Sequence, residues 1–284
     1  FGFQRIHDLA WAAGDAQAKG FLIGATSGRT TLNGEGLQHQ DGHSHILSST
    51  IPNCKSYDPA FGFELAVIIQ HGIKEMYEEK QNFFYYLTVT NERYLQPQKP
   101  KIKKVDEQII KGMYKFLSVS RPMIRLLGSG AILNECLKAH EILKQFDITS
   151  EVWSVTSFNM LRKDGMEIEN VNLKNPSQTP QASYVEQSFA HENIPAVAAT
   201  DYMRAYAEQI RPFVKGTYFT LGTDGFGRSD SRKKLREYFE VDANNIAATA
   251  AYALLQDQII DKKQVGKIYE KLGINKDKSS PWVQ

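Results

Sequence analysis

Apolar and polar positions recur along this chain with two different periods, and the changes of period outline its elements. Ile6, Leu9, Ala10, Trp11 and Ala13 fall at helical spacing, and Gly20 suits a helix stop. Phe21-Leu22-Ile23-Gly24 then reads as a short buried strand, and Cys54 to Tyr57 as a second. From Phe61 to Glu79 the spacing predicts a helix. Its apolar face would hold Phe61, Leu65, Ile68, Ile69 and Met76, with Glu75, Glu78 and Glu79 on the solvent side. Phe83 to Thr90, rich in aromatic and β-branched residues, is the clearest strand.

Residues 96–106 break this pattern, with two prolines, four lysines and almost nothing to bury. Such a stretch reads as a solvated linker, with binding of an acidic partner as the alternative. Beyond it, strands are expected at Met123 to Leu127, Glu151 to Thr156, Ala196 to Ala199 and Tyr218 to Leu221. Helices are expected at Ala131 to Phe146, Tyr184 to Ala190 and Asp201 to Ile210. Two more should close the chain, between Ser229 and Leu255 and between Asp261 and Leu272. This alternation predicts an α/β fold, a mainly parallel sheet flanked by helices. The chain should hold part of one such domain, joined by the linker to a complete smaller one.

Composition adds limits. A length of 284 residues allows one large or two ordinary domains. A formal charge of +2 is too small to argue for a nucleic-acid or membrane partner. No apolar run approaches the roughly 20 residues needed to span a bilayer. Cys54 and Cys136 lie far apart, which suggests reduced structural thiols and a cytoplasmic setting.

The chemistry concentrates in Gly34-Glu35-Gly36-Leu37-Gln38-His39-Gln40-Asp41-Gly42-His43-Ser44-His45. That run holds three of the seven histidines, two carboxylates and three glycines. Buried in a core, each polar group would need its own partner, so the run reads better as a reaction site in a bending segment. A zinc site on His39, Asp41, His43 and His45 would need a more distant ligand, and His71, His140 and His191 stand singly. Acid–base or substrate contact is the favoured reading, with plain loop polarity as the alternative. Gly128-Ser129-Gly130 joins a strand to a helix, but Leu133 stands where a dinucleotide fingerprint needs its third glycine, so a tight turn is expected. Asp224-Gly225 with Asn244-Asn245 has too short a spacer for a metal-diphosphate motif. There Ser229 or Asp230 should cap a helix, with Arg228 and Arg232 in solvent or against a neighbouring subunit.

Gln40-Asp41-Gly42-His43-Ser44-His45 resembles the transketolase-superfamily motif Glu-Asp-Gly-x-Thr-His, with Gln for Glu and Ser for Thr. Three longer stretches narrow the resemblance: Phe1 to Ile6, Gly24 to His39, and Gly222-Thr223-Asp224-Gly225-Phe226-Gly227-Arg228-Ser229-Asp230-Ser231-Arg232. All are similar to the homodimeric bacterial pyruvate dehydrogenases, the decarboxylating component of their multienzyme complex. The resemblance implies that residues 1–95 are the latter part of a pyrimidine-binding domain. It likewise implies that 96–106 are the linker and 107–284 a transketolase C-terminal-like domain. On that basis the chain would begin inside a longer subunit, with the diphosphate-binding domain and magnesium ligands upstream.

The implied cofactors are thiamine diphosphate and magnesium, and the implied substrate is pyruvate. The implied partners are a second copy of the chain and a lipoyl-bearing acyltransferase. The implied reaction decarboxylates pyruvate and reductively acetylates the lipoyl group. The fragment alone should be inactive; a non-catalytic assembly module of the same fold is the alternative. By the resemblance, Phe1 would stack on the aminopyrimidine ring and Arg5 support that pocket. His39 and Glu35 would act near the substrate carboxylate, and Asp41 and His45 would face the substrate channel, leaving His43 structural.

Overall fold

The computed structural model describes residues 2–34, 36–37, 39–189 and 193–281. Phe1, Glu35, Ala190 and His191, which carry sequence expectations, lie outside the described residues. In chain order the elements begin with α1 (Gly2–Asp15), β1 (Phe21–Gly24), α2 (Ser44–Ser48), β2 (Cys54–Tyr57), α3 (Gly62–Ile73) and β3 (Phe84–Thr88). A π-helical turn, Lys74–Glu78, extends α3. Then follow α4 (Val105–Lys111), β4 (Met113–Leu117), β5 (Ile124–Gly128), α5 (Leu133–Lys144), β6 (Ser150–Val155), α6 (Phe158–Lys174) and α7 (Tyr184–Phe189). The last are β7 (Ala196–Ala199), α8 (Arg204–Glu208), β8 (Tyr218–Leu221), α9 (Arg232–Phe239), α10 (Ala243–Gln256) and α11 (Lys262–Leu272).

The architecture is α/β, with two sheets. One is three-stranded and parallel, in the order β1-β3-β2; the other is five-stranded, in the order β4-β6-β5-β7-β8. Among the strands of the described residues only β4 runs antiparallel, pairing Met113 with Val155. Strands β5, β6 and β7 are buried along their whole length, as strands covered on both faces are. Leu126, Val152, Val197 and Leu254 belong to the apolar cluster on one face of this sheet, which takes in α5, α10 and α11. Leu127, Val155, Phe158 and Tyr206 belong to the cluster on the other.

Several boundaries differ from the sequence expectation. α6 falls where no element was expected: only Phe158, Asn159, Leu161 and Gly165 of its 17 residues are buried, too few to draw an apolar stripe. The stretch Ser229 to Leu255 holds two helices, broken where Glu240 turns left-handed at φ 59°. The helix at Asp201 to Ile210 shrinks to α8 because Asp201 and Tyr202 turn inward as buried side chains. Residues 89–104 form no helix or strand, yet Ile102 packs on the core of the smaller sheet and Tyr94 donates to Ala60 O.

Polar contacts join the two sheets. Asp58 N, just past β2, donates to Thr156 O at 2.7 Å, and Gly130 N donates to Asp58 O at 3.1 Å. Ser157 Oγ donates to Ser56 O at 2.6 Å while accepting from Met160 N as the cap of α6. Glu64 is fully buried and accepts from Ala60 N, Phe61 N, Tyr114 Oη and Ser154 Oγ at 2.6–3.0 Å. Four donors satisfy a carboxylate that burial alone would make costly.

Candidate active site

Parallel strands end together, so their C-terminal edge gathers loops; the candidate site lies there, past β1. A cavity of about 480 Å³ opens between that edge and the first turns of α1. Phe3, Ile6, Leu22 and Tyr86 supply apolar wall, and His39 and Asp41 supply polar groups. The Phe3 and Tyr86 rings meet with centroids 4.5 Å apart.

Each expected residue takes a distinct place. His39 is exposed on the cavity wall. Asp41 is nearly buried, and one of its oxygens accepts from His43 N at 3.1 Å and Ser44 N at 3.0 Å; the other accepts from Ser44 Oγ. It therefore closes the turn into α2 and shows an edge to the cavity at once. His43 is half-buried, with Nε2 accepting from Arg29 at 3.3 Å. Burial lowers its pKa, and the neighbouring guanidinium lowers it further. Arg5 is exposed on α1, outside the cavity lining.

His45 differs from the expectation of a channel-facing side chain. It is fully buried behind Tyr86 (centroids 5.4 Å), stacked on Tyr206 and edge-on to Tyr202, both at 4.7 Å. Its Nε2 lies 2.9 Å from Thr88 Oγ1, which donates in turn to Asp58 Oδ1 at 2.7 Å. The imidazole, the Thr88 hydroxyl and the Asp58 carboxyl thus form one buried hydrogen-bonded chain. Burial pulls the His45 pKa down to about 3 and pushes the Asp58 carboxyl up to about 7. At neutral pH this imidazole is uncharged.

The histidine loop is fastened to the far sheet mostly by residues that sequence reasoning did not single out, Asp201 and Arg29 among them. Fully buried Asp201 accepts from Thr30 N, Thr30 Oγ1, Thr31 N and Thr31 Oγ1 at 2.5–3.0 Å. Gly28, at φ +86°, has no room for a side chain against that carboxylate. Arg29 donates to Thr223 O and, at 2.5 Å, to Gly225 O. Arg232 donates to Thr31 O at 2.8 Å and to Asn91 Oδ1 at 3.1 Å, so it is not the solvent-facing side chain expected. Ser231, rather than Ser229 or Asp230, caps α9 by accepting from Lys234 N. The sequence signal for this clasp was the stretch Gly222 to Arg232, whose many small and polar residues read as a helix start.

Among the described residues no three His, Cys, Asp or Glu side chains gather as a metal site. His39, His43 and His45 face different surroundings, so the zinc reading finds no support there. The turn Gly128-Ser129-Gly130 packs tightly: a methyl on Gly128 would lie 2.6 Å from Leu133 Cα. Asp224 accepts from Arg204 N at 3.2 Å and Asn245 donates to Asp242 at 2.6 Å, each within local structure. Cys54 and Cys136 are both free and buried.

Residues 1–97 match the family described as pyruvate dehydrogenase E1 component middle domain, and residues 112–242 match the transketolase-like C-terminal domain. The chain is 54% identical to the pyruvate dehydrogenase E1 component of Pseudomonas aeruginosa, over 99% of this chain and 32% of that protein. The same shares are covered by the E1 components of Escherichia coli K12, at 53% identity, and Cupriavidus necator, at 48%. The chain belongs to the pyruvate dehydrogenase E1 family. It spans about a third of the length of these relatives.

Solved transketolases share the fold. A variant from Pichia stipitis superposes with a TM-score of 0.69 at 15% identity, covering 92% of this chain and 34% of that one. The Campylobacter jejuni enzyme does so with 0.67 at 16%, covering 88% and 34%. Among the described residues no helix is long and apolar enough to cross a membrane.

Proposed function

We propose that this chain supplies the pyrimidine-side wall and the C-terminal domain of a thiamine diphosphate-dependent pyruvate dehydrogenase. The enzyme would decarboxylate pyruvate and reductively acetylate a lipoyl group on a partner acyltransferase. The carrying observation is the cavity past β1, where His39 and Asp41 share a wall with the Phe3 and Tyr86 rings. Rings and aliphatic groups on one side and two ionisable groups on the other suit a flat heteroaromatic ring next to a small carboxylate. The same residues do not suit a diphosphate-bound magnesium ion, because no cluster of hard ligands stands among those described. That end of the cofactor belongs to another part of the enzyme.

When bound, thiamine diphosphate supplies the carbon nucleophile and electron sink that decarboxylation requires. The chain's own residues do the rest. Phe1 and Phe3 flank the aromatic ring, and Arg5 steadies the outer turn of α1. His39 holds the pyruvate carboxylate and moves a proton at its imidazole, and Glu35 is an acidic group of the same site. Asp41 keeps the loop turned so that His39 stays on the cavity. His45 contributes from behind, as a neutral ring hydrogen-bonded to Thr88 and packed behind the Tyr86 wall. A second copy of the chain completes a homodimer, and the enzyme works in the cytoplasm.

The test is carbon dioxide release from pyruvate by the full-length enzyme that contains this chain, with thiamine diphosphate, magnesium and a dye acceptor. Turnover that requires the cofactor is expected, together with none from the 284-residue chain alone. Turnover by this chain alone overturns the division of parts. A folded, cofactor-loaded enzyme that leaves pyruvate untouched overturns the reaction and favours an assembly module.

A further inference from the structure

Resting on the reading above, we propose that Gln40 is a positioning residue, whose carboxamide, held at both ends, sets how His39 and Asp41 face the cavity. Gln40 stands between those two residues yet is itself fully buried. Its Oε1 accepts from Arg228 N at 2.9 Å and its Nε2 donates to Leu32 O at 2.6 Å. One group must accept at one end and donate at the other, which an amide does and a carboxylate or hydrocarbon does not. The bonds tie residue 40 both to its own loop and to the Gly222 to Arg232 stretch of the opposite domain.

Backbone pairing reinforces the tie. Gly227 N donates to Leu37 O at 2.9 Å, forming an isolated antiparallel bridge. A methyl on Gly227 would lie 2.6 Å from both Gln40 Oε1 and Leu37 O, so the close approach depends on glycine there. Fixing residue 40 fixes the backbone on either side of it, and through that the exits of the His39 and Asp41 side chains. In a loop rich in glycine, a side-chain anchor next to the reactive groups helps hold them within the ångström that catalysis demands.

The experiment compares wild type with Gln40→Ala, Gln40→Glu and Gly227→Ala in the full-length enzyme, by pyruvate kinetics and hydrogen exchange. For Q40A, kcat should fall about 10- to 100-fold while KM moves less than about threefold. Exchange should accelerate at residues 34–41 and stay unchanged in β5, β6 and β7. Q40E, which keeps the acceptor for Arg228 N and loses the donor to Leu32 O, should fall between Q40A and wild type. G227A disturbs the tie from the opposite side and should reproduce Q40A.

An unchanged kcat in Q40A overturns the proposal, with or without faster loop exchange. So does a fall in kcat that accompanies faster exchange throughout the chain, since that reports lost stability alone. If wild type itself leaves pyruvate untouched, the functional reading fails. The exchange arm then decides separately: local acceleration supports the anchor, and its absence overturns it.

Discussion

In the five-stranded sheet, β5, β6 and β7 are buried at every residue. In the three-stranded sheet, β1 leaves Ile23 58% exposed, and α1 beside it leaves Leu9 68% exposed. The candidate site sits on the second sheet, the one with the thinner cover. Its loop is ordered by polar ties to the first: Asp201 to Thr30 and Thr31, Arg29 to Thr223 and Gly225, Gln40 to Arg228. The difference shows a division of labour. A sheet closed by apolar packing supplies rigidity, and directional hydrogen bonds carry that rigidity to a loop that must stay open.

Apolar truncation in the closed sheet should have the largest effect. Leu126 is fully buried at the centre of β5, so Leu126→Ala should cost about 4 kcal/mol through lost contacts and the cavity left behind. Urea unfolding of the 284-residue chain measures it. A cost below about 1 kcal/mol would mean that this sheet is not the rigid partner.

The junction comes next. Glu64→Ala leaves Tyr114 Oη and Ser154 Oγ, both on the far sheet, without their acceptor, together with two backbone amides. About 3 kcal/mol should be lost in the same assay. An exposed amide and a free hydroxyl would find water, so a loss near zero would show that the junction is wet rather than sealed.

These contrasts also mark how far the chain could be read without its structure. The ends of β1, β2, β7 and β8 coincide with the expected strands because short β-rich runs between glycines and polar residues declare themselves locally. Helix α6 was illegible because it hides only four residues, and α4 with β4 after it because the pair leads out of a lysine- and proline-rich segment. At the site, the loop's composition pointed to His39 and Asp41. Nothing local could show that Asp201, 171 residues after Thr30, fixes that loop, or that His45 turns inward between two tyrosines. Periodicity reports which side of an element is apolar; it carries no information about which distant polar groups will meet.

A pH experiment sharpens the comparison at the seam. Asp58 lies where the sheets meet, its carboxyl pushed up to about 7 by burial. The folded state thus holds this proton more tightly than the unfolded chain, whose carboxyl titrates near 4. The associated stability is present in acid and lost as the pH rises from about 4 to about 7. Asp58→Asn keeps an acceptor for Thr88 and has no proton to lose. Relative to wild type, the variant should therefore gain about 4 kcal/mol between pH 4 and pH 8. His45, held neutral by burial, is common to both proteins and cancels in the difference. A constant difference across that range would mean that water reaches Asp58.

The smallest effect is expected on the thinly covered side. Leu9 projects from α1 with 68% of its surface exposed and stands outside the four apolar clusters of the described residues. In a helix, Leu and Gln have nearly equal intrinsic preference, so Leu9→Gln removes little that the folded chain uses. Its unfolding free energy should stay within about 0.5 kcal/mol of wild type, against the 4 kcal/mol set for Leu126→Ala. The two substitutions act on the same residue type in the same chain, so their ratio isolates burial from chemistry. A Leu9→Gln cost above about 1.5 kcal/mol, growing with protein concentration, would show that association covers this helix. The site-bearing sheet would then also draw its rigidity from apolar packing.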